Sequence, residues 1–166
     1  MVSTLWDFAS DCYSRPGMAE ICLRAQDDYA ADINMVLTAA WLAARTVRWE
    51  CADVAALAQL CTEWRTQCLL PLRSVRRYLK HRTGADDMYT RVKMLELDAE
   101  RRQLQLIETV LSEHNTSGTD DSSLLRHNLD TYFSTLPSFE RIDTELIETL
   151  AAALKPGAAL QQSGNK

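Results

Sequence analysis

The stretch Asp32-Ile33-Asn34-Met35-Val36-Leu37-Thr38-Ala39-Ala40-Trp41-Leu42-Ala43-Ala44-Arg45 decides the fold. Asp32 can accept hydrogen bonds from the free amides of a first helical turn, so a helix is predicted to start behind it. The dozen apolar residues that follow fall well short of the ~20 needed to cross a bilayer. They are apolar almost all round the helix, apart from a stripe of Asn34, Thr38, Trp41 and Arg45. Such a helix belongs at the centre of a bundle, covered by others.

The flanking sequence supplies those covers. Upstream, Leu5, Phe8, Ala9, Cys12 and Tyr13 recur at steps of three and four, starting after Ser3 or Thr4 and ending at Arg15-Pro16-Gly17. Met18, Ile21, Cys22, Ala25 and Tyr29 repeat the pattern, with Glu20, Arg24, Asp27 and Asp28 on the opposite, solvated side. Downstream, Asp53 reads as an N-cap, and Leu57, Cys61, Trp64 and Cys68 share a face up to Pro71, where a helix must kink or restart. A basic helix from Leu72 to His81 is closed by Gly84, and Asp86 to Glu113 contains neither proline nor glycine, which predicts the longest helix. Residues Asn115 to Ser123 form a turn-rich loop. Leu125 to Leu136 and Ile142 to Leu154 make two more short helices, ended by Pro137 and Pro156-Gly157.

Nothing alternates with the period of a strand. The expected fold class is therefore all-α, a single-domain helical bundle of about seven or eight helices over residues 1–155, with a disordered C-terminal tail over 156–166. The hydrophobic fraction of 46% in 166 residues suffices for one core. A net charge of −5 opposes nucleic acid and anionic membranes at long range, so RNA contact through a basic helix ranks third among the functional readings. The N-terminus lacks the cationic start and apolar run of a signal peptide, and five cysteines without a CxxC pair fit packed, reduced thiols. Both features point to the cytoplasm.

Catalytic parts are scarce. His81, His114 and His127 are scattered and read as surface or helix-capping residues, and no standard hydrolase, nucleotide or metal motif occurs. No catalytic residue, metal ligand set or cofactor is expected. Asp27, Asp28 and Asp32 superficially resemble a magnesium-holding aspartate cluster, but capping and solvated surface explain them better. Trp6, Trp41, Trp49 and Trp64 read as packing residues, Trp49 being the one expected to be exposed.

The most informative segment is Pro71 to Lys80, because Arg73, Arg76, Arg77 and Lys80 lie within about 100° of one another on a helix. Leu72, Val75 and Leu79 occupy the opposite side and are expected to dock on the core. Two readings of the cations weigh equally: ion pairs with Glu96, Asp98 and Glu100 of the long helix, or a binding patch for a carboxylate-rich protein or a phosphate. A separate candidate pocket, between the second and third helices, would use Asn34, Thr38 and Arg45, although internal hydrogen bonding is the simpler account of these polar groups.

The order of Leu5-Trp6-x-Phe8-Ala9, Tyr13-x-x-Pro16-Gly17, Cys22-Leu23-x-x-Gln26, Asp32-x-Asn34, Trp41-Leu42-Ala43 and Pro71-Leu72-Arg73-x-x-Arg76-Arg77-x-Leu79-Lys80 resembles an uncharacterised family of short helical proteobacterial proteins with no established activity. The resemblance covers roughly residues 5 to 110. It implies a bacterial, helical protein and carries over no functional residue. Its members commonly place a glycine just before the Asp32 position, where this chain has Ala30-Ala31.

The expected function is thus a non-enzymatic interaction or regulatory module whose Arg73, Arg76, Arg77 and Lys80 face, flanked by Arg65 and Arg82, meets an acidic protein. The alternative is a small enzyme or ligand-binding protein with the Asn34, Thr38 and Arg45 pocket, with or without a divalent cation beside the three aspartates. The sequence specifies no oligomeric state.

Overall fold

A computed structural model describes residues 4–111 and 123–155. Within them the chain is all-α: α1 (Leu5–Ser14), α2 (Met18–Tyr29), α3 (Ile33–Ala44), α4 (Cys51–Trp64), α5 (Leu70–Leu79), α6 (Asp86–Leu111), α7 (Leu124–Ser134) and α8 (Thr144–Leu154). The turn-rich loop expected over Asn115 to Ser123 falls outside the described residues up to its last position, as do His114 and the tail after Lys155.

Local chemistry sets the helix starts. Thr4 and Asp7 form a reciprocal capping box, with the Asp7 amide donating to Thr4 Oγ1 at 3.1 Å and the Thr4 amide to Asp7 Oδ2 at 3.4 Å. Asp32 Oδ1 accepts from the Asn34 amide at 3.0 Å, as its sequence position predicted, and Asp143 does the same for α8. Asp53 is not a cap: α4 starts two residues before it, with Glu50 at the cap position, so Asp53 lies in the first turn, where its charge still suits the helix dipole. Two non-glycine residues take positive φ at helix ends, Ala30 (56°) after α2 and Thr46 (58°) after α3.

Helix α3 occupies the centre, and every residue from Ile33 to Leu42 is buried. Helix α7 lies along it and is held by Asn128, which donates to the carbonyls of Ala39 (3.1 Å) and Val47 (3.0 Å) and accepts from the Trp49 amide at 2.9 Å. Three backbone groups after or within α3 are thereby satisfied by one buried side chain. Trp49 is not exposed as expected. It is 1% accessible and stacks on Tyr132 at 6.5 Å between ring centroids, because the turn through Thr46 folds residues 47–49 back onto α7.

The basic helix also departs from its expected form. Helices α4 and α5 are one rod, joined by a π-helical turn, Arg65–Leu69, in which the Leu70 amide reaches the Arg65 carbonyl. Pro71 accounts for this wider turn: it lacks an N–H, and in α geometry its ring would press on the carbonyl four residues back, that of Gln67. The π turn absorbs one extra residue, which displaces everything after it by about 100° relative to a straight α-helix. The inward face of Val54, Leu57 and Cys61 therefore continues not to Val75, which is 45% exposed, but to Leu69, Arg73 and Arg76.

Candidate functional site

Helices α1 and α2 on one side and the N-terminal half of α6 on the other leave a cleft of about 580 Å³, floored by α3 and α5. Its walls are apolar, formed by Trp6 and Tyr13 of α1, Leu23 of α2, and Met94 and Leu97 of α6. Leu23 (53%), Leu97 (51%) and Met94 (64%) leave large apolar surfaces open to water at its rim. Most single exposed apolar residues need no explanation, but a group converging on one concavity marks a binding surface.

The floor is charged, and its charges are already paired. Arg73 donates from Nε to Glu96 and from Nη2 to Glu100, both at 3.2 Å. Arg76 grips the same Glu96 through Nε and, at 3.3 Å, through Nη2. With its amide oxygen turned toward Arg73, Gln26 accepts from the remaining face of that guanidinium, 3.1 Å from Nη2. Asn34, at the base of the same cleft, donates from Nδ2 to Gln103 Oε1 at 3.0 Å and to the Glu100 carbonyl at 3.4 Å. These contacts hold the floor rigid, since each buried donor has a fixed acceptor.

Burial raises the Glu100 carboxyl above the ordinary carboxylate range, and the Arg73 charge only partly opposes it. Hydrogen bonding to Glu96 raises the Arg76 guanidinium further. Burial also pushes the Cys22 thiol up to about 12, and Tyr13, which shares a hydrogen bond with it, is raised as well. Neither supplies a nucleophile near neutrality. Lys93, by contrast, lines the cleft from an exposed position and has no ion pair among the described residues. Arg73, Arg76 and Lys93 against Glu96 and Glu100 leave the cleft with one positive charge when all are ionised.

The four cations of the expected row are thus split. Arg73 and Arg76 point into the molecule, onto two of the three acids that the alternative reading named, while Asp98 takes no part in these pairs. Arg77 pairs with Asp27 at the surface, and Lys80 is exposed. Of the flanking residues, Arg65 reaches Asp32 (3.8 Å) and the Ala30 carbonyl (3.3 Å), and Arg82 lies over the Tyr78 ring.

The Asn34, Thr38 and Arg45 stripe does not form a pocket between α2 and α3. Thr38 is fully buried and bonds back to the Asn34 carbonyl at 2.7 Å, and Arg45 stacks over Trp41. Only Asn34 reaches the cleft; Thr38 lies about one turn and Arg45 about three turns farther along the same face of α3. The aspartates diverge too: Asp27 meets Arg77, Asp28 lies near Arg24, and Asp32 caps α3 while accepting from Gln103 at 2.6 Å. No cluster able to hold a metal ion occurs among the described residues. His127 serves structure: Arg48 can only donate to its Nδ1, so Nε2 carries the proton and donates to the Trp49 carbonyl at 3.1 Å.

The apolar walls were the part that sequence reading missed. Leu23 sits on the otherwise charged side of α2, beside Glu20, Arg24, Asp27 and Asp28, and that lone apolar residue was the available signal.

No helix among the described residues is long and apolar enough to cross a membrane. No curated protein and no solved structure matches the chain. A family model does, over residues 4–107, which include all of the cleft, so the chain belongs to the family described as Protein of unknown function (DUF2390).

Proposed function

We propose that this protein is a cytoplasmic bacterial binding module whose working element is the cleft between α1, α2 and α6. The observation that carries this reading is the combination of an apolar rim with a floor of charges that are satisfied before anything binds. A floor paired in advance need not reorganise on binding, so apolar surface buried by an occupant contributes directly to affinity. The volume lies within the range of small-molecule sites, roughly 300–1,000 Å³. The free state of all five thiols supports a reducing compartment. Nile red, an uncharged apolar dye, should bind with enhanced fluorescence, and Leu97→Asp should abolish that binding while the circular dichroism spectrum stays helical. Unchanged dye binding by Leu97→Asp would place the apolar site elsewhere.

A second reading keeps the acidic protein partner but moves it to the outer side of α5. There Val75 (45%) and Tyr78 (62%) stand exposed among Arg77, Lys80 and Arg82, an apolar patch ringed by cations. Salt-sensitive capture of a partner that Tyr78→Asp abolishes would support it.

A further inference from the structure

We infer that the cleft's natural occupant is a single-chain amphiphile with a monoanionic head, a medium-chain fatty acid being the simplest member of the class. The inference rests on the cleft being the binding site and goes on to assign the charge and direction of what it holds. Charge complementarity carries it. Arg73 is fully engaged by Glu96, Glu100 and Gln26, and Arg76 grips Glu96, which leaves Lys93 as the lining cation without an ion pair among the described residues. One anionic head brings the cleft to neutrality, whereas a cation would add to an unbalanced positive charge.

The cleft is also polarised along its length. Helices α5 and α6 run antiparallel, since Arg73 reaches as far as Glu100 while Arg76 meets only Glu96. Lys93 and Arg76 therefore stand toward the N-terminal end of α6. At the other end Leu104 and Trp6 close the cleft, and Arg101 covers the Trp6 ring at 5.2 Å. A head at Lys93 places the tail between Leu23 and Leu97 with its terminus toward Trp6 and Leu104. The rim is apolar on both sides of that path, as an alkyl chain requires and a compact polar metabolite does not.

Isothermal titration of the intact protein with decanoate, decan-1-ol and decyltrimethylammonium tests the assignment. Decanoate should bind most tightly, decan-1-ol more weakly and the cation weakest. Lys93→Gln should weaken decanoate about fivefold, the size expected of one partly exposed charge contact, and bring it near the alcohol. Equal affinity for decanoate and decan-1-ol overturns the anionic assignment while the cleft reading stands. Tighter binding of the cation reverses it. If none of the three binds although Nile red does, the occupant is no single-chain amphiphile, as when a partner protein's helix fills the groove, and the inference falls without the cleft reading.

Discussion

Arg73 donates from Nε to Glu96 at 3.2 Å across the α5–α6 seam, with side chains only 12% and 7% exposed. Because Arg76 shares the same carboxylate, Glu96 is a counter-ion for two guanidiniums, of which Arg73 also has Glu100. Breaking a buried pair from one side leaves uncompensated charge, which costs far more than the pair contributes against an apolar replacement. Glu96→Ala should therefore destabilise the fold by about 3–5 kcal/mol, measured by urea unfolding. Arg77→Gln, which removes the half-exposed pair with Asp27, should cost under about 1 kcal/mol. Similar losses for the two variants would show that the floor is solvated.

The raised carboxyl of Glu100 gives stability a pH signature. Its folded form favours the proton, so its contribution is fully present below the unfolded pKa of about 4.3 and is lost as pH rises through the higher folded value. Glu100→Gln lacks that loss. The variant's Tm minus that of the parent should be more positive at pH 7 than at pH 4, and a constant difference would show that burial does not control this group.

Left-handed backbone at two ordinary residues predicts two stabilising substitutions. Ala30 (φ 56°) and Thr46 (φ 58°) both hold a conformation that costs an L-residue roughly 1–2 kcal/mol. Thr46 closes α3 with its own amide bonded to Ala43 and that of Val47 bonded to Leu42, so its backbone must stay as it is. Ala30→Gly should raise stability by about 1 kcal/mol, and Thr46→Gly by more, because a β-branched residue fits this region worst. Thermal melts rank the two, and a loss in either would mean that unfolded-state entropy outweighs the relieved strain.

Thiol reactivity should follow burial. The thiols of Cys12 and Cys61 are pushed up by burial to about 11 and that of Cys22 to about 12, so none carries appreciable thiolate at pH 8. Cys51 is exposed and Cys68 partly so. Iodoacetamide at pH 8 should label Cys51 first, Cys68 next, and the other three only after unfolding, as peptide mass spectrometry would resolve. Early labelling of Cys22 would mean that the cleft opens far more than its paired floor implies.

Much of this architecture was legible in the sequence. The cap at Asp32, the central place of α3, the long α6 and the end of α1 at Arg15-Pro16-Gly17 follow from local rules that involve few residues each, whereas α5 stops at Leu79 and Gly84 takes its positive φ in the turn beyond. Trp49 was not legible, because its burial depends on Asn128 of a helix nearly eighty residues away receiving its amide. Nor was the cleft. It is made of gaps between helices, and hydrophobic periodicity reports which residues a helix buries, not where its neighbours fail to meet. For the Arg73 row, the apolar side of Leu72, Val75 and Leu79 was expected to dock; Leu79 does, but the wider turn, which periodicity within the segment does not report, faces Val75 outward and aims Arg73 and Arg76 inward.

That turn decides which residues of α5 face inward. Leu69 and Leu79 are buried beside the paired Arg73 and Arg76, while Val75 is turned outward. Pro71 and the residue count between it and Cys61 together set that choice. Loss of one residue in this segment would restore the α-helical count and turn α5 by about 100°, aiming Val75 inward and moving Arg73 off the cleft floor without altering a single amino acid of the site. Length polymorphism at residues 65–69 is therefore the variation by which relatives of this chain could change what they hold while keeping every lining residue.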